Sequence, residues 1–378
     1  MIPYGRQEIT EKDIESVVDV LRSDFLTQGS VVPKFEHKLC EYTGAENAIA
    51  VNSCTSALHI ACLALNLGPG DILWTSPISF VASANCGLYC GASVDFVDID
   101  PNTALLSIKK LEEKLQYAKK KGKLPKIVIP VHFGGQPCDM KEIYALSKKY
   151  NFKIIEDAAH AIGAKYQDKL IGSCQYSDIT VFSFHPVKII TTGEGGVAMT
   201  NNLQLSDRMR LLRSHGITRD VSKMKNKPDG AWYYEQIDLG FNYRMTDIQA
   251  ALGISQLNRI EQYVSRRNEI AEWYNKKFRT TDISPLMQKM GRSSAYHLYV
   301  ILIKGGRQQR DVLYNYLLKN DIGVNLHYIP VYKHPFFNKN SCLENAEYYY
   351  KHAISLPIYP TISSKDLNKV VDKILCYI

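Results

Sequence analysis

The sequence has no C-x-x-C pair, and its 9 cysteines form an odd, unpatterned set scattered from Cys40 to Cys376. Oxidised export favours an even, regularly spaced set, so a reducing compartment and mostly buried thiols are expected. The closest pair, Cys86 and Cys90, falls on one predicted helix and reads as core packing. No uninterrupted apolar run approaches the roughly 18 residues of a membrane span. Residues 1–10 hold no apolar h-region of the kind a signal peptide needs. The expectation is a soluble, cytoplasmic protein without membrane contact. Internal repeats and low-complexity tracts are absent too. Charge of one sign is not dominant: 46 Lys and Arg stand against 38 Asp and Glu, a formal net charge of +8. Such a surplus suits a phosphate-bearing substrate as well as a nucleic acid. The lysine run at Lys114, Lys119, Lys120, Lys121, Lys123 and Lys126 comes without a helix-turn-helix or zinc-finger pattern. It reads as a solvated face with cations at a helix C-terminus, and no nucleic-acid partner is expected.

What is present is a globular composition, 45% hydrophobic and 22% charged, which excludes a disordered tail, a collagen-like fibre and a coiled coil. A chain of 378 residues buries about three-quarters of its unfolded surface, so it folds without disulfides or a structural metal. From residue 45 to 200, short β-rich runs alternate with helical stretches. Strands are predicted at 48–51, 72–75, 93–97, 126–131, 152–155 and 179–182. Helices are predicted at 55–66, 80–89, 109–121 and 140–150. This alternation points to an α/β fold, with a mostly parallel central sheet flanked by helices and ligands at the carboxyl ends of the strands. Beyond a helix at 203–213, residues 246–278 support one long helical stretch. Then follow a strand at 297–303, a helix at 308–320, a strand at 324–327 and a final helix at 365–377. The expected division is a large domain over residues 1–250 and a smaller α+β domain over 251–378.

Three segments carry chemistry. In Ser183-Phe184-His185-Pro186-Val187-Lys188, followed by Thr191-Thr192-Gly193-Glu194-Gly195-Gly196, a strand end delivers a lysine into apolar surroundings. Desolvation there disfavours the ammonium and makes the amine a nucleophile able to form a Schiff base. In Ile154-Ile155-Glu156-Asp157-Ala158-Ala159-His160, a buried strand ends at two carboxylates followed by an imidazole. In Asn52-Ser53-Cys54-Thr55-Ser56, a strand gives way to a helix whose free amides and hydroxyls suit a phosphate. Each also has an ordinary reading: a structural lysine, a helix N-cap at Asp157 with a surface acid at Glu156, and a plain N-cap before residue 55. Together they supply what pyridoxal 5'-phosphate (PLP) needs: an amine, an acid that keeps the ring nitrogen protonated, and a phosphate cup.

In the order and spelling of these segments the chain resembles the DegT/StrS family of fold-type-I, PLP-dependent nucleotide-sugar aminotransferases. The likeness runs from Tyr4 to about Pro357. It is greatest to the branch that aminates UDP-4-keto-sugars in pseudaminic acid biosynthesis. The resemblance implies that Lys188 carries the cofactor, Asp157 pairs with its ring nitrogen, His160 lies near its hydroxyl and Phe80 stacks on the ring. Cys54, Thr55, Ser56 and Ser183 match the phosphate cup. Asn242, in Gly240-Phe241-Asn242-Tyr243-Arg244, matches an asparagine lent by the partner subunit, which implies a homodimer with shared sites. Tyr4, Leu26 and Thr27 match the segment that contacts the nucleotide-sugar, and His327, Tyr328, Ile329 and Pro330 match a substrate loop. At Ile329 the family often has a charged residue, a departure that bears on the pyrophosphate contact. The implied activity is transfer of an amino group from L-glutamate to a UDP-linked 4-keto-6-deoxy sugar, without a metal. Amination at C3, another nucleotide, a PLP lyase and a nucleic-acid-binding regulator stay open. Lys188 argues against the family's sugar dehydratases, which carry histidine at this position.

Overall fold

Seven short apolar runs pair into one sheet, in the order Asn47–Val51, Gly196–Thr200, Ile179–Ser183, Lys153–Asp157, Ile127–Ile129, Ile72–Thr75, Ser93–Phe96. The computed structural model describes residues 1–337 and 342–377. From Ile179–Ser183 to Ser93–Phe96 all neighbours are parallel. Gly196–Thr200 alone is reversed, running antiparallel to the strands on both its sides. Side chains alternate between the two faces of each strand. Trp74, Val128, Ile154, Phe182 and Val197 therefore enter one buried cluster, and Leu73, Ile127, Ile155, Val181 and Ala198 the other. Burial on both sides explains why these strands are continuous hydrophobic runs rather than alternating ones.

Crossover helices at Ala82–Tyr89, Ile108–Lys120 and Met140–Tyr150 join successive parallel strands. An antiparallel three-stranded sheet, Ile283–Pro285, Tyr299–Ile303 and Ala353–Leu356, follows in the second half. It shares a third buried cluster with Tyr274, Phe278, Leu313 and Val370, to which Ile2 also belongs. The N-terminal segment thus packs on the C-terminal layer, bridging Ile2 to Ile322.

The predicted bounds at Ile72–Thr75, Met140–Tyr150 and Leu203–Arg213 are those observed. Two expectations are corrected. The single helical stretch over 246–278 is two helices, Asp247–Leu257 and Ile260–Phe278. The break falls at Arg259, whose guanidinium donates to buried Asp13 (2.6 Å) and to Tyr263 Oη (2.9 Å). A tertiary anchor here overrides local helix propensity. Residues 324–327 form no ladder strand. They make one bridge, Asn325 to Ser355, because the Asn325 side chain bonds the Leu326 amide and the His327 ring bonds Ser355 Oγ. Side chains offer this backbone an alternative to the ladder. The neighbouring strand is Ala353–Leu356, which carried no separate sequence signal.

The first strand is tied down by one buried carboxylate. Glu36, on the helix Val31–Thr43, accepts from the Ala50 amide (2.8 Å), Arg213 (2.6 Å) and Arg210 (2.8 Å). Glu36→Ala leaves the buried Ala50 amide without its acceptor and takes the carboxylate from two guanidinium groups, which keep only the Ala48 and Ala50 carbonyls, a loss of about 3 kcal/mol. A urea-unfolding midpoint clearly below wild type, with an unchanged slope, is the expected result.

Candidate active site

The carboxyl ends of adjacent strands bring the predicted residues to one edge of the large sheet. Asp157 ends Lys153–Asp157 and Ser183 ends Ile179–Ser183, and both are buried. Glu156, one position earlier, faces the opposite side. It is not a surface acid: it is buried and accepts from Ser177 Oγ (2.5 Å), Thr180 Oγ1 (2.9 Å) and the His132 ring (2.7 Å). Nor is Asp157 a helix cap. Its Oδ1 accepts from the Ala159 amide (3.1 Å) and its Oδ2 from the Ser83 hydroxyl (2.6 Å).

After Ser183 the chain turns through Lys188, whose amide bonds the His185 carbonyl at 2.9 Å. Lys188 is half-buried against buried Ile189 and Ile190. Desolvation pulls its amine down from 10.5 to about 8, against the opposing pull of the nearby Cys54 and Asp157 side chains. His185 is exposed.

The helix Cys54–Ala64 starts beside this turn. Ser53 is its cap, accepting from the Ser56 amide at 3.1 Å, and the Ser56 hydroxyl is committed to Asn52 Oδ1 at 2.6 Å. The amides of Cys54 and Thr55 belong to the first turn, where no carbonyl of the helix can reach them. Gly196 lies directly against this helix start: a Cβ there would stand 2.5 Å from the Cys54 amide nitrogen. A side chain at 196 would strike the Ser53–Cys54 backbone and displace this helix start, whose first-turn amides make a cradle suited to an anion.

His160 is buried beneath the site. Its Nδ1 accepts from the Gly134 amide (3.3 Å), so the neutral ring carries its proton on Nε2, 3.3 Å from the Tyr328 hydroxyl. Burial, with Lys188 and His327 nearby, holds His160 well below the ordinary imidazole range. Burial also brings His327 to about 3, and its Nδ1 lies 2.8 Å from Ser355 Oγ. Tyr4 packs on the His327 ring at 5.3 Å. Phe80 is 60% exposed, with its ring 6.3 Å from that of Tyr328. The Val331 amide bonds the Pro77 carbonyl, which seats Ile329 and Pro330 near the Phe80 turn.

Leu26 and Thr27 are reached from another side. Asp247, fully buried at the start of its helix, accepts from the amides of Gly29 (2.7 Å) and Val32 (2.9 Å), and its own amide bonds the Leu26 carbonyl. A methyl at Gly29 would overlap the Asp247 carboxylate. From the same helix start, Gln249 donates to the Glu194 carbonyl at 2.8 Å. Asn242 is exposed, and its backbone lies along the cradle's edge, its carbonyl 3.5 Å from Asn52 Nδ2. The fold therefore returns this distant segment to its own subunit's cup rim.

Sequence reasoning missed Ser83, Asp247 and His297. Ser83 stands one helical turn after Phe80 and Asp247 follows a capping threonine, patterns common to many helix starts. His297, buried with its ring 4.3 Å from that of His160, carried no signal. Among the described residues no group of His, Cys, Asp and Glu could hold a metal ion, and no helix is long and apolar enough to cross a membrane.

The model of the DegT/DnrJ/EryC1/StrS aminotransferase family matches residues 7–375. A Campylobacter jejuni protein, UDP-4-amino-4,6-dideoxy-N-acetyl-beta-L-altrosamine transaminase, is 40% identical over 98% of this chain and 96% of its own. The solved Helicobacter pylori aminotransferase PseC, involved in the biosynthesis of pseudoaminic acid, is 31% identical with a TM-score of 0.90, covering 100% of this chain and 98% of that one. The PLP form of a Streptococcus pneumoniae protein named as a sugar aminotransferase is 28% identical with a TM-score of 0.89, covering 100% and 98%.

Two measurements check the geometry. Because only the neutral amine is nucleophilic, the rate at which cofactor-free protein takes up PLP should rise with pH and level off above about 8, the value burial gives Lys188. A rate still climbing toward 10.5, the ordinary lysine value, contradicts it. Asp247→Asn loses one of two charge-assisted bonds, each worth about 1.5–3 kcal/mol. The KM for the sugar substrate should rise about tenfold while kcat changes less.

Proposed function

The chain belongs to the DegT/DnrJ/EryC1/StrS aminotransferase family, and we propose that it moves an amino group from L-glutamate to C4 of a UDP-linked 4-keto-6-deoxy sugar. Members of the family are sugar aminotransferases that use PLP. The product we assign is that of a UDP-4-amino-4,6-dideoxy-N-acetyl-beta-L-altrosamine transaminase, the name of the Campylobacter relative, which serves pseudaminic acid biosynthesis. One observation carries the reading: a depressed lysine, a fixed carboxylate and a helix start meet where adjacent strands end, and the carboxylate is held by the turn that bears an exposed phenyl ring.

These residues fit the cofactor. The amides of Cys54 and Thr55, with the Ser56 turn and Ser183, would hold the phosphate, Asp157 the ring nitrogen, and Phe80 one ring face. When bound, PLP supplies the carbon that carries the amino group and a ring that withdraws electrons from it. Lys188 would move the proton at its Nζ, taking it from the donor's α-carbon and giving it up again within the same half-reaction, and running the transfer in reverse in the second. An amine that titrates near about 8 serves as base and acid in turn. Asp157, held by Ser83 and the Ala159 amide, would face the ring nitrogen. The His160 Nε2–H donates to the Tyr328 hydroxyl oxygen, which leaves the phenol's own hydrogen free to be donated elsewhere. Tyr4, Leu26, Thr27 and the 327–330 loop would orient the nucleotide-sugar.

We assign residues 1–250 to the cofactor-binding domain and 251–378 to the smaller one. The protein would act in the cytoplasm, consistent with nine free cysteines. It would act as a homodimer in which the exposed Asn242, whose backbone borders its own subunit's cup, extends its side chain to the partner's cradle.

Mass spectrometry and NMR of products from a panel of UDP- and dTDP-keto-sugars test the substrate. A 4-amino UDP-sugar with one 2-oxoglutarate per turnover is expected, and amination at C3 or of a dTDP-sugar alone overturns the assignment. Mixing tests the shared site. Lys188→Ala and Asn242→Asp chains, each inactive alone, should regain activity together, since one site of the heterodimer then carries neither lesion. A mixture that stays inactive assigns Asn242 to its own subunit's cradle.

A further inference from the structure

Ser83 has no part in the assignments above, yet it makes the shortest hydrogen bond to the carboxylate proposed for the cofactor's ring nitrogen. It is the second residue of the helix Ala82–Tyr89, 1% exposed, with Oγ 2.6 Å from Asp157 Oδ2. The Phe80 carbonyl lies 3.4 Å from the same hydroxyl. A serine has one hydroxyl hydrogen, and the shorter, charge-assisted contact takes it. Asp157 Oδ1 is held separately by the Ala159 amide. Both oxygens are thus pinned, and each keeps a lone pair for a further donor.

We propose that Ser83 is a positioning residue that holds the Asp157 carboxylate in place and keeps the shared proton on the cofactor's ring nitrogen instead of on the acid. The proposal rests on the assignment of Asp157 to that nitrogen. A hydroxyl donated to a carboxylate stabilises its anionic form and lowers its pull on a proton. The other ionisable groups that act on Asp157 are Lys188, Cys54 and Tyr328. The amide of Ser83 also bonds the Phe80 carbonyl, at 3.3 Å. One turn therefore links the proposed stacking ring to the acid proposed for the ring nitrogen.

The test is the pH titration of the absorbance of the PLP-loaded protein, with kcat measured alongside. In Ser83→Ala the proton shifts toward Asp157 and the ring loses positive charge. The titration midpoint should then move upward by at least half a pH unit and kcat fall about tenfold, with cofactor still bound. Ser83→Thr, which keeps the hydroxyl, should restore both. Ser79→Ala is the control. It removes a neighbouring buried hydroxyl that bonds only the Ser76 and Phe80 carbonyls, and it should leave the midpoint in place. A midpoint unmoved in Ser83→Ala, a threonine variant as displaced as the alanine, or an equal shift in Ser79→Ala overturns the proposal. If Asp157→Asn leaves midpoint and kcat at wild-type values, the assignment of Asp157 itself has failed, a result distinct from any at Ser83.

Discussion

The close approach of Gly196 to the start of the helix Cys54–Ala64 is the constraint from which the site follows. In register, Gly196 stands between Val51 and Ser183. One of these strands runs on into the phosphate-cradle turn, the other into the lysine turn. A backbone without a side chain at this point lets the reversed strand pass 2.5 Å, measured from an ideal Cβ position, from the Cys54 amide. Any larger residue pushes the helix start away from the lysine. The single antiparallel strand in an otherwise parallel sheet is therefore not a decoration. It brings the chain back from Lys188 directly against the anion site.

Burial shapes the chemistry of the imidazoles around it. His160, His297 and His327 are all buried, and burial lowers each of them, so none adds a positive charge to the site. The amide of Gly134 fixes the tautomer of one. The charge of the site rests on Lys188 and Asp157, which moderate each other, while the histidines contribute shape and directed hydrogen bonds. In the proposed assignment the cofactor's phosphate then meets local positive charge at the helix start rather than from a cluster of cations.

Much of this was legible in the sequence because the large sheet is built from local signals. Apolar runs buried on both faces, amphipathic helices and turn residues mark Ile72–Thr75 or Met140–Tyr150 without reference to the rest of the chain. The three chemical segments were legible because each sits where a strand ends. What escaped depends on distant partners. The break at Arg259 is set by Asp13, the loop at Asn325 by Ser355, and the burial of Glu156 by His132 and Thr180. Ser83 and Asp247 look like any helix-start residue until the fold places a carboxylate or a loop amide against them.

The Asp247 anchor has a consequence for how such a site can diversify. One buried helix start holds both the segment bearing Leu26 and Thr27 and the turn at Glu194. The anchoring contacts run through Asp247 and backbone amides, and Leu26 itself is left largely exposed. Leu26, Thr27 and Ile329, which we propose face the sugar, can accordingly be changed while the frame that aims the first two stays whole. A scaffold of this kind lets new sugar preferences arise by single surface changes, with the amine-handling machinery inherited intact.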